Sequence, residues 1–192
     1  MVDVRVGVLA LQGDVREHLA VIASLGHTGV AVKYREDLDD LDALIIPGGE
    51  STTIGKLADR FELLEPMKKR IAEGLPTLGT CAGMILLATA TTGEPQHLIG
   101  ELDITVERNA FGRQVDSFEA DLDVEGLDEP FHAVFIRAPL VVSAADDVEV
   151  LAAVDGRPVL VRQGHMMAAS FHPELTNDDR IHKMLISSVT ER

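Results

Sequence analysis

From Val4 to Leu11 the chain reads VRVGVLAL, an almost unbroken apolar run with no polar face. A strand of that kind must be covered on both sides, as in a parallel sheet sandwiched between helices. QGD follows, and then VREHLAVIASLG, which has helical spacing, Asp14 as a candidate N-cap and Gly26 as a stop. The alternation continues. GVAVKYR and DALIIPGG read as strands, and STTIGKLADRFELLEPMKKRIAEG reads as one helix interrupted at Pro66 or as two short ones. PTLGT reads as a short strand, and AGMILLATA reads as a helix that starts at once. Strands and helices in this order predict a three-layer, flavodoxin/Rossmann-like α/β domain around a mostly parallel sheet.

After about residue 90 the pattern changes. LDITVERN, SFEADLDV, HAVFIRAPLVV, VEVLAAV, RPVLVRQG and HMMAASF are strand-like and joined mainly by turns, with Asp155-Gly156 as a hairpin signal. NDDRIHKMLISSVTER closes the chain as a helix, with Asn177 or Asp178 near its cap. No repeat, linker or low-complexity stretch divides the sequence, so residues 1–192 are expected to form one domain with an antiparallel extension.

The chain carries 32 acidic against 17 basic residues, a net charge of −15. That balance argues against nucleic acid and anionic membranes as partners. No apolar run reaches the length of a membrane helix and the start has no leader pattern, which together with a single cysteine points to a reducing cytoplasm.

That one cysteine, Cys81, sits in GTCAG, where the strand PTLGT turns into a helix. In open α/β sheets, sites form beyond the carboxyl ends of the strands. G-x-C-x-G is the cysteine form of a nucleophile elbow, with small neighbours that let a strained turn expose the side chain. A nucleophilic thiol needs a base, and the base an orienting group. His18 and His182 fall in amphipathic helices, His27 and His97 in polar turns, and His132 and His165 at strand edges, all readable as solvated or satisfied side chains. His172 differs. It follows an apolar strand in AASFHPEL, Pro173 disfavours helix there, and Glu174 lies two residues on, on the same side of an extended segment. Cys81, His172 and Glu174 are therefore a candidate catalytic set. IIPGGES offers Gly48 and Gly49 at a strand end, where their N–H groups could meet a developing oxyanion together with that of Ala82. A tight turn capped by Ser51 explains the same segment equally well.

The elbow GTCAG, the loop PGGES and the late HPE resemble the class I, triad-type glutamine amidotransferases. GVLALQGD, LIIPGGESTTI, GTCAGMILLA, VERNAFGRQVDSFEADL, FIRAP and SFHPELT further resemble the glutaminase subunits of pyridoxal 5′-phosphate synthase. The resemblance implies hydrolysis of L-glutamine by Cys81 as nucleophile, His172 as base and acid, and Glu174 as orienting carboxylate. It implies ammonia delivery to a synthase (lyase) subunit in a large hetero-oligomer, which builds pyridoxal 5′-phosphate from a pentose phosphate and a triose phosphate. No metal or cofactor is implied. Glutamine-binding positions carried over are Gly49, Glu50, Ser51, Arg108, Ile136 and Arg137, and Gln12 and Gly13 fall in the partner-facing region. A zwitterionic substrate suits these side chains, with Glu50 for its ammonium and Arg108 or Arg137 for its carboxylate. Another class I amidotransferase subunit would share the triad but lack RNAFGRQ and FIRAP.

Overall fold

A computed structural model of the chain describes residues 2–108 and 117–190. The first strand, β1 (Arg5–Leu9), is followed by helix α1 (Val15–Ser24), β2 (Thr28–Val32), β3 (Ala43–Ile46), helices α2 (Ser51–Arg60) and α3 (Leu64–Ala72), β4 (Thr77–Thr80) and α4 (Ala82–Leu87). Next come strands β5 (Ala88–Thr91), β6 (Leu102–Glu107), β7 (Ser117–Leu122), β8 (Phe131–Ile136), β9 (Leu140–Ala144), β10 (Glu149–Val154), β11 (Arg157–Gln163) and β12 (Met166–Ala169), and the closing helix α5 (Arg180–Thr190). Seven strands form the main sheet in the order β10-β11-β12-β4-β3-β1-β2. Its five strands from β12 to β2 are parallel, and β11 and β10 extend it antiparallel. Strands β5-β6-β9 and the pair β7-β8 form two smaller sheets.

The apolar runs explain the layers. In β3, Leu44 and Ile46 enter one core, with Ile54, Met67, Ile71 and Met84 from α2, α3 and α4. Ala43 and Ile45 enter the opposite core, with Ile22 from α1 and Ile181, Leu185 and Ile186 from α5. Alternate residues of a central strand thus serve both faces, each fully buried large side chain contributing about 1.5–3 kcal/mol.

Three sequence expectations need correction. The segment 51–74 is two helices, but it does not break at Pro66. Proline lies in the first turn of α3, where its missing N–H costs no helical bond; the break comes at Glu62, whose φ is +56°. AGMILLATA stops being helical at Leu87, and Ala88–Thr91 pairs with β6. HAVFIRAPLVV is two strands in different sheets, separated at Arg137, whose φ is +45°. The Asp155-Gly156 hairpin is present between β10 and β11, with Val154 opposite Arg157.

Candidate active site

Cys81 stands between the last residue of β4 and the first of α4, with φ +47° and ψ −102°. A residue with a Cβ avoids that backbone region unless its surroundings over-determine it. Here they do. The Cys81 N–H donates to the Ala169 carbonyl of β12 at 2.8 Å, and the Cys81 carbonyl accepts from Met84 at the start of α4. The two flanking glycines serve packing: a Cβ on Gly83 would come within 1.9 Å of the Ile46 carbonyl oxygen, and one on Gly79 within 2.6 Å of the Gly83 backbone. GTCAG is therefore an elbow pressed directly against β3, and any side chain at Gly83 would push it away.

β12 runs beside β4, pairing Thr80 with Ala169. The chain continues through buried Ser170 and Phe171 to His172, whose N–H donates to the Val134 carbonyl at 2.9 Å. Pro173–Leu175 then form a short 3-10 turn in place of the extended segment anticipated, and this turn brings Glu174 back onto His172. His172 Nδ1 donates to Glu174 Oε1 at 2.7 Å, and Asp14 Oδ2 lies 3.3 Å from the same nitrogen. Cys81, which lines one cleft with His172, also acts on the imidazole and raises its pKa. With Nδ1 occupied by carboxylate, Nε2 is the ring nitrogen left for sulfur. Burial lowers the pKa of His172, but the Asp14, Cys81 and Glu174 contacts outweigh it and push the value up to about 12. Burial raises the pKa of Glu174, against the lowering effect of its bond to His172. The imidazole is thus built to carry charge beside the sulfur.

An open cleft of about 470 Å³ faces this pair, lined among others by Gly49, Glu50, Ser51, Ala82, Arg108, Ile136 and Arg137. Every glutamine-binding position carried over from the resemblance thus borders one space with Cys81 and His172. Within it, Glu50 is the N-cap of α2: its carboxylate accepts from the N–H groups of Thr52 at 3.0 Å and Thr53 at 2.8 Å. Burial raises its pKa, but the bonds from Thr53 and Thr52 prevail and bring it down to about 2. Arg108 donates to Glu50 Oε1 at 3.1 Å and to the Thr52 hydroxyl at 3.0 Å. Ser51 is buried and bonds Gln96, so the cap of α2 is Glu50 and not Ser51. The Ile136 carbonyl oxygen lies 3.8 Å from Cys81 Sγ, at the turn made by Arg137. The rest of the RNAFGRQ motif, residues 109–114, lies outside the described residues.

The QGD loop packs on the glycine pair. Asp14 N–H donates to the Gly48 carbonyl at 3.2 Å, and Glu50 N–H donates to Gln12 Oε1 at 2.7 Å. Gln12 and Gly13 are themselves exposed. Asp14, taken from sequence as the cap of α1, makes no capping bond; its carboxylate is turned to His172. Asp14, His172 and Glu174 each bring one potential ligand atom within 4.8 Å of the others. Their contacts are those of one imidazolium shared by two carboxylates.

Two side chains behind the site were read as solvated or satisfied helix positions. His18 on α1 and His182 on α5 are fully buried and bond one another at 2.9 Å. The signal existed: His18 stands four residues before buried Ile22, and His182 directly after buried Ile181. The remaining four histidines have ordinary partners, His27 with the Val4 N–H, His97 with Asp59 at 3.9 Å, His165 with the Ile71 carbonyl, and His132 with Glu119 and Asp121.

Comparison with known proteins agrees with this geometry. Residues 8–191 match the family described as SNO glutamine amidotransferase. Pyridoxal 5′-phosphate synthase subunit PdxT of a Nocardioides species is 56% identical over 193 residues, covering 97% of this chain and 96% of that protein. The subunit of the same name from Frankia casuarinae is 58% identical over 188 residues, covering 96% and 94%. A crystal structure of a glutamine amidotransferase superposes with a TM-score of 0.93 at 54% identity, covering 96% of this chain and 98% of the other. The PurLQS structure from Thermotoga maritima, 19% identical with a TM-score of 0.71, shares the fold over all of this chain and 99% of that one. A match over nearly the whole length, on a chain whose elbow and histidine share one cleft with Glu174 buried behind the imidazole, allows one assignment. The chain belongs to the SNO glutamine amidotransferase family.

Proposed function

We propose that the chain is the glutaminase subunit of a pyridoxal 5′-phosphate synthase, one domain that releases ammonia from L-glutamine for a synthase subunit. The observation that carries the chemistry is Cys81, on its strained elbow, sharing one cleft with a His172 whose Nδ1 is held by Glu174 at 2.7 Å. The names of relatives more than half identical over nearly the full chain support the biological setting.

Sulfur attacks the side-chain amide carbon of glutamine, forming a C–S bond and placing charge on the amide oxygen. Ala82 opens α4, so its N–H is one of the first-turn donors without a helical acceptor, and it serves that oxygen together with N–H groups of Gly48 and Gly49. The His172 imidazolium gives its Nε2 proton to the departing nitrogen, and ammonia leaves as the C–N bond breaks. Neutral His172 then takes a proton from water, whose oxygen attacks the thioester carbon; the C–S bond breaks with sulfur leaving as thiolate, glutamate is released, and thiolate and imidazolium are restored. Glu174 keeps Nδ1 protonated throughout. Glu50, Arg108 and Arg137 serve the ammonium and carboxylate of the substrate, with the Glu50–Arg108 pair opening to receive opposite charges. Exposed Gln12 and Gly13 suit a docking surface. Because Gln12 and Asp14 bond Glu50 and Gly48, pressure on that loop reaches the donors at the reacting oxygen.

No helix among the described residues is long and apolar enough to cross a membrane, and we place the reaction in the cytoplasm, where the lone thiol stays reduced. The test is ammonia release from glutamine with and without the synthase subunit. Weak turnover alone, strong stimulation by the partner and none for Cys81→Ala are expected. Equal rates with and without the partner would remove the coupling, and an active Cys81→Ala would remove the mechanism.

A further inference from the structure

Behind Glu174 lies a second set of buried polar side chains that the reaction above does not use. His18 Nε2 is 3.4 Å from Glu174 Oε2 and 3.2 Å from Thr80 Oγ1; His18 Nδ1 is 2.9 Å from His182 Nε2. These groups come from four elements, α1, α5, the end of β4 and the turn after β12. None reaches solvent. Glu174 Oε2 and His182 Nδ1 are both buried and lack a hydrogen-bonded partner. Burial first, and then the repulsion a charged His18 would meet from the neighbouring histidines His182 and His172, lower the pKa of His18 well below the ordinary histidine range. Burial likewise brings His182 down to about 4, with only Asp179 acting the other way. Both rings are therefore neutral at pH 7, with one N–H each.

One proton must lie between the two rings, and its owner settles the rest. If His18 Nδ1 donated to His182, the single N–H of His182 would sit on Nδ1, a buried donor facing nothing, and His18 Nε2 would be bare toward the carboxylate. If His182 Nε2 donates instead, its Nδ1 is only an unpaired acceptor, and the His18 proton sits on Nε2, aimed at Thr80 and Glu174. An orphaned donor beside a bare carboxylate is the costlier state. The His182 N–H then points to His18 and the His18 N–H to Thr80 and Glu174, while His172 Nδ1–H meets the other oxygen of the same carboxylate.

Taking Cys81, His172 and Glu174 as the catalytic set, we propose that His18 is a positioning residue for the reaction, its Nε2–H holding the outer oxygen of Glu174 so that the inner oxygen stays on His172 Nδ1, and that His182 fixes the tautomer of His18. Thr80 keeps His18 in place from the residue next to the nucleophile. Carboxylates that orient metal-bound histidines cost about 10–100-fold when removed, and the same scale is expected by analogy here.

The test compares full-length His18→Leu, His18→Gln and His182→Leu, each with the synthase subunit. His18→Leu removes the donor and should lower kcat at least about 10-fold with KM for glutamine unchanged. Its alkaline activity limb should move to lower pH, because a misaligned Glu174 no longer supports the His172 imidazolium. Glutamine places its amide nitrogen near the former Nε2, so His18→Gln should recover most of kcat and the original pH profile. His182→Leu should show a smaller loss in the same direction. Alkylation by iodoacetamide provides a second readout, since Cys81 is the only thiol: His18→Leu should slow it at pH 7 and His18→Gln restore it. If His18→Leu does not fold, the glutamine and His182 variants carry the comparison. Wild-type kcat and pH profile in folded His18→Leu, or in His182→Leu where the first does not fold, would overturn the proposal, as would a His18→Gln as impaired as His18→Leu. Activity in Cys81→Ala would instead strike at the catalytic set itself.

Discussion

Asp14 Oδ2 lies 3.3 Å from His172 Nδ1, the nitrogen that already donates to Glu174 at 2.7 Å. The His172 imidazole is thus served by two carboxylates, one buried and one on the edge of an exposed loop. Removing the charge of the outer one, in Asp14→Asn, leaves Glu174 in place and lowers the pKa of His172 from its raised value. The alkaline limb of the pH–rate profile should move down by about one unit, since opposite charges at this range shift a pKa by one to three and Asp14 is partly solvated. Unchanged pH dependence would mean that Asp14 does not act on the imidazole.

Gly48 faces His172 edge-on. A Cβ there would lie 2.4 Å from His172 Cε1 and 2.9 Å from Asp14 Oδ2. Gly48→Ala should therefore fold, because the obstructing atoms belong to side chains at the cleft, but displace the imidazole. A loss of about 100-fold in kcat is expected from an ångström of misplacement. Turnover and thermal unfolding measured on one preparation separate the two effects.

The strain at Cys81 predicts a difference between two inactive variants. Alanine at position 81 keeps the unfavourable φ of +47°, whereas glycine does not. Cys81→Gly should be more stable than Cys81→Ala by about 1 kcal/mol in urea unfolding, and neither should release ammonia. An equal or reversed order would show the elbow to be unstrained.

His18 and His182 make the fold acid-sensitive. Each is neutral when folded, with a pKa depressed below the ordinary 6.5, so below that pH the unfolded chain binds more protons. Stability should rise with pH through this window and be lost as pH falls from 6.5 toward about 4, at up to roughly 1.4 kcal/mol per unit for each histidine. A melting-temperature series from pH 7 to pH 4 should be steeper for the parent chain than for His182→Leu. Parallel curves would remove His182 from the acid response.

The meeting of Cys81, His172 and Glu174 was legible because its residue types are rare in those settings: one cysteine between glycines, and a histidine held by proline beside a glutamate. The parallel core was legible because β1 and β3 have no polar face to misread. Other features depend on tertiary partners that local patterns do not contain. Asp14 has the sequence of a helix cap, and only the arrival of His172 from the far end of the chain turns its carboxylate away. Pro66 looks like a break until the start of α3 moves to Leu64. His18 and His182 are 164 residues apart, and each alone looks like a polar position on a half-buried helix.

The ladder between β4 and β12 has a consequence for how such a chain can diverge. Thr80 faces Ala169, and the Cys81 N–H bonds the Ala169 carbonyl, so Cys81 and His172 are registered by backbone pairing on adjacent strands. The two small sheets and the β10-β11 hairpin belong to the chain strung between those strands, and no backbone bond of the ladder passes through them. Away from Val134, whose carbonyl holds the His172 N–H, and from Ile136 and Arg137, which line the cleft, they can vary in length and surface while Cys81 and His172 keep their spacing. A lineage can thus retool the outer face for a different acceptor of ammonia without recalibrating the hydrolytic step.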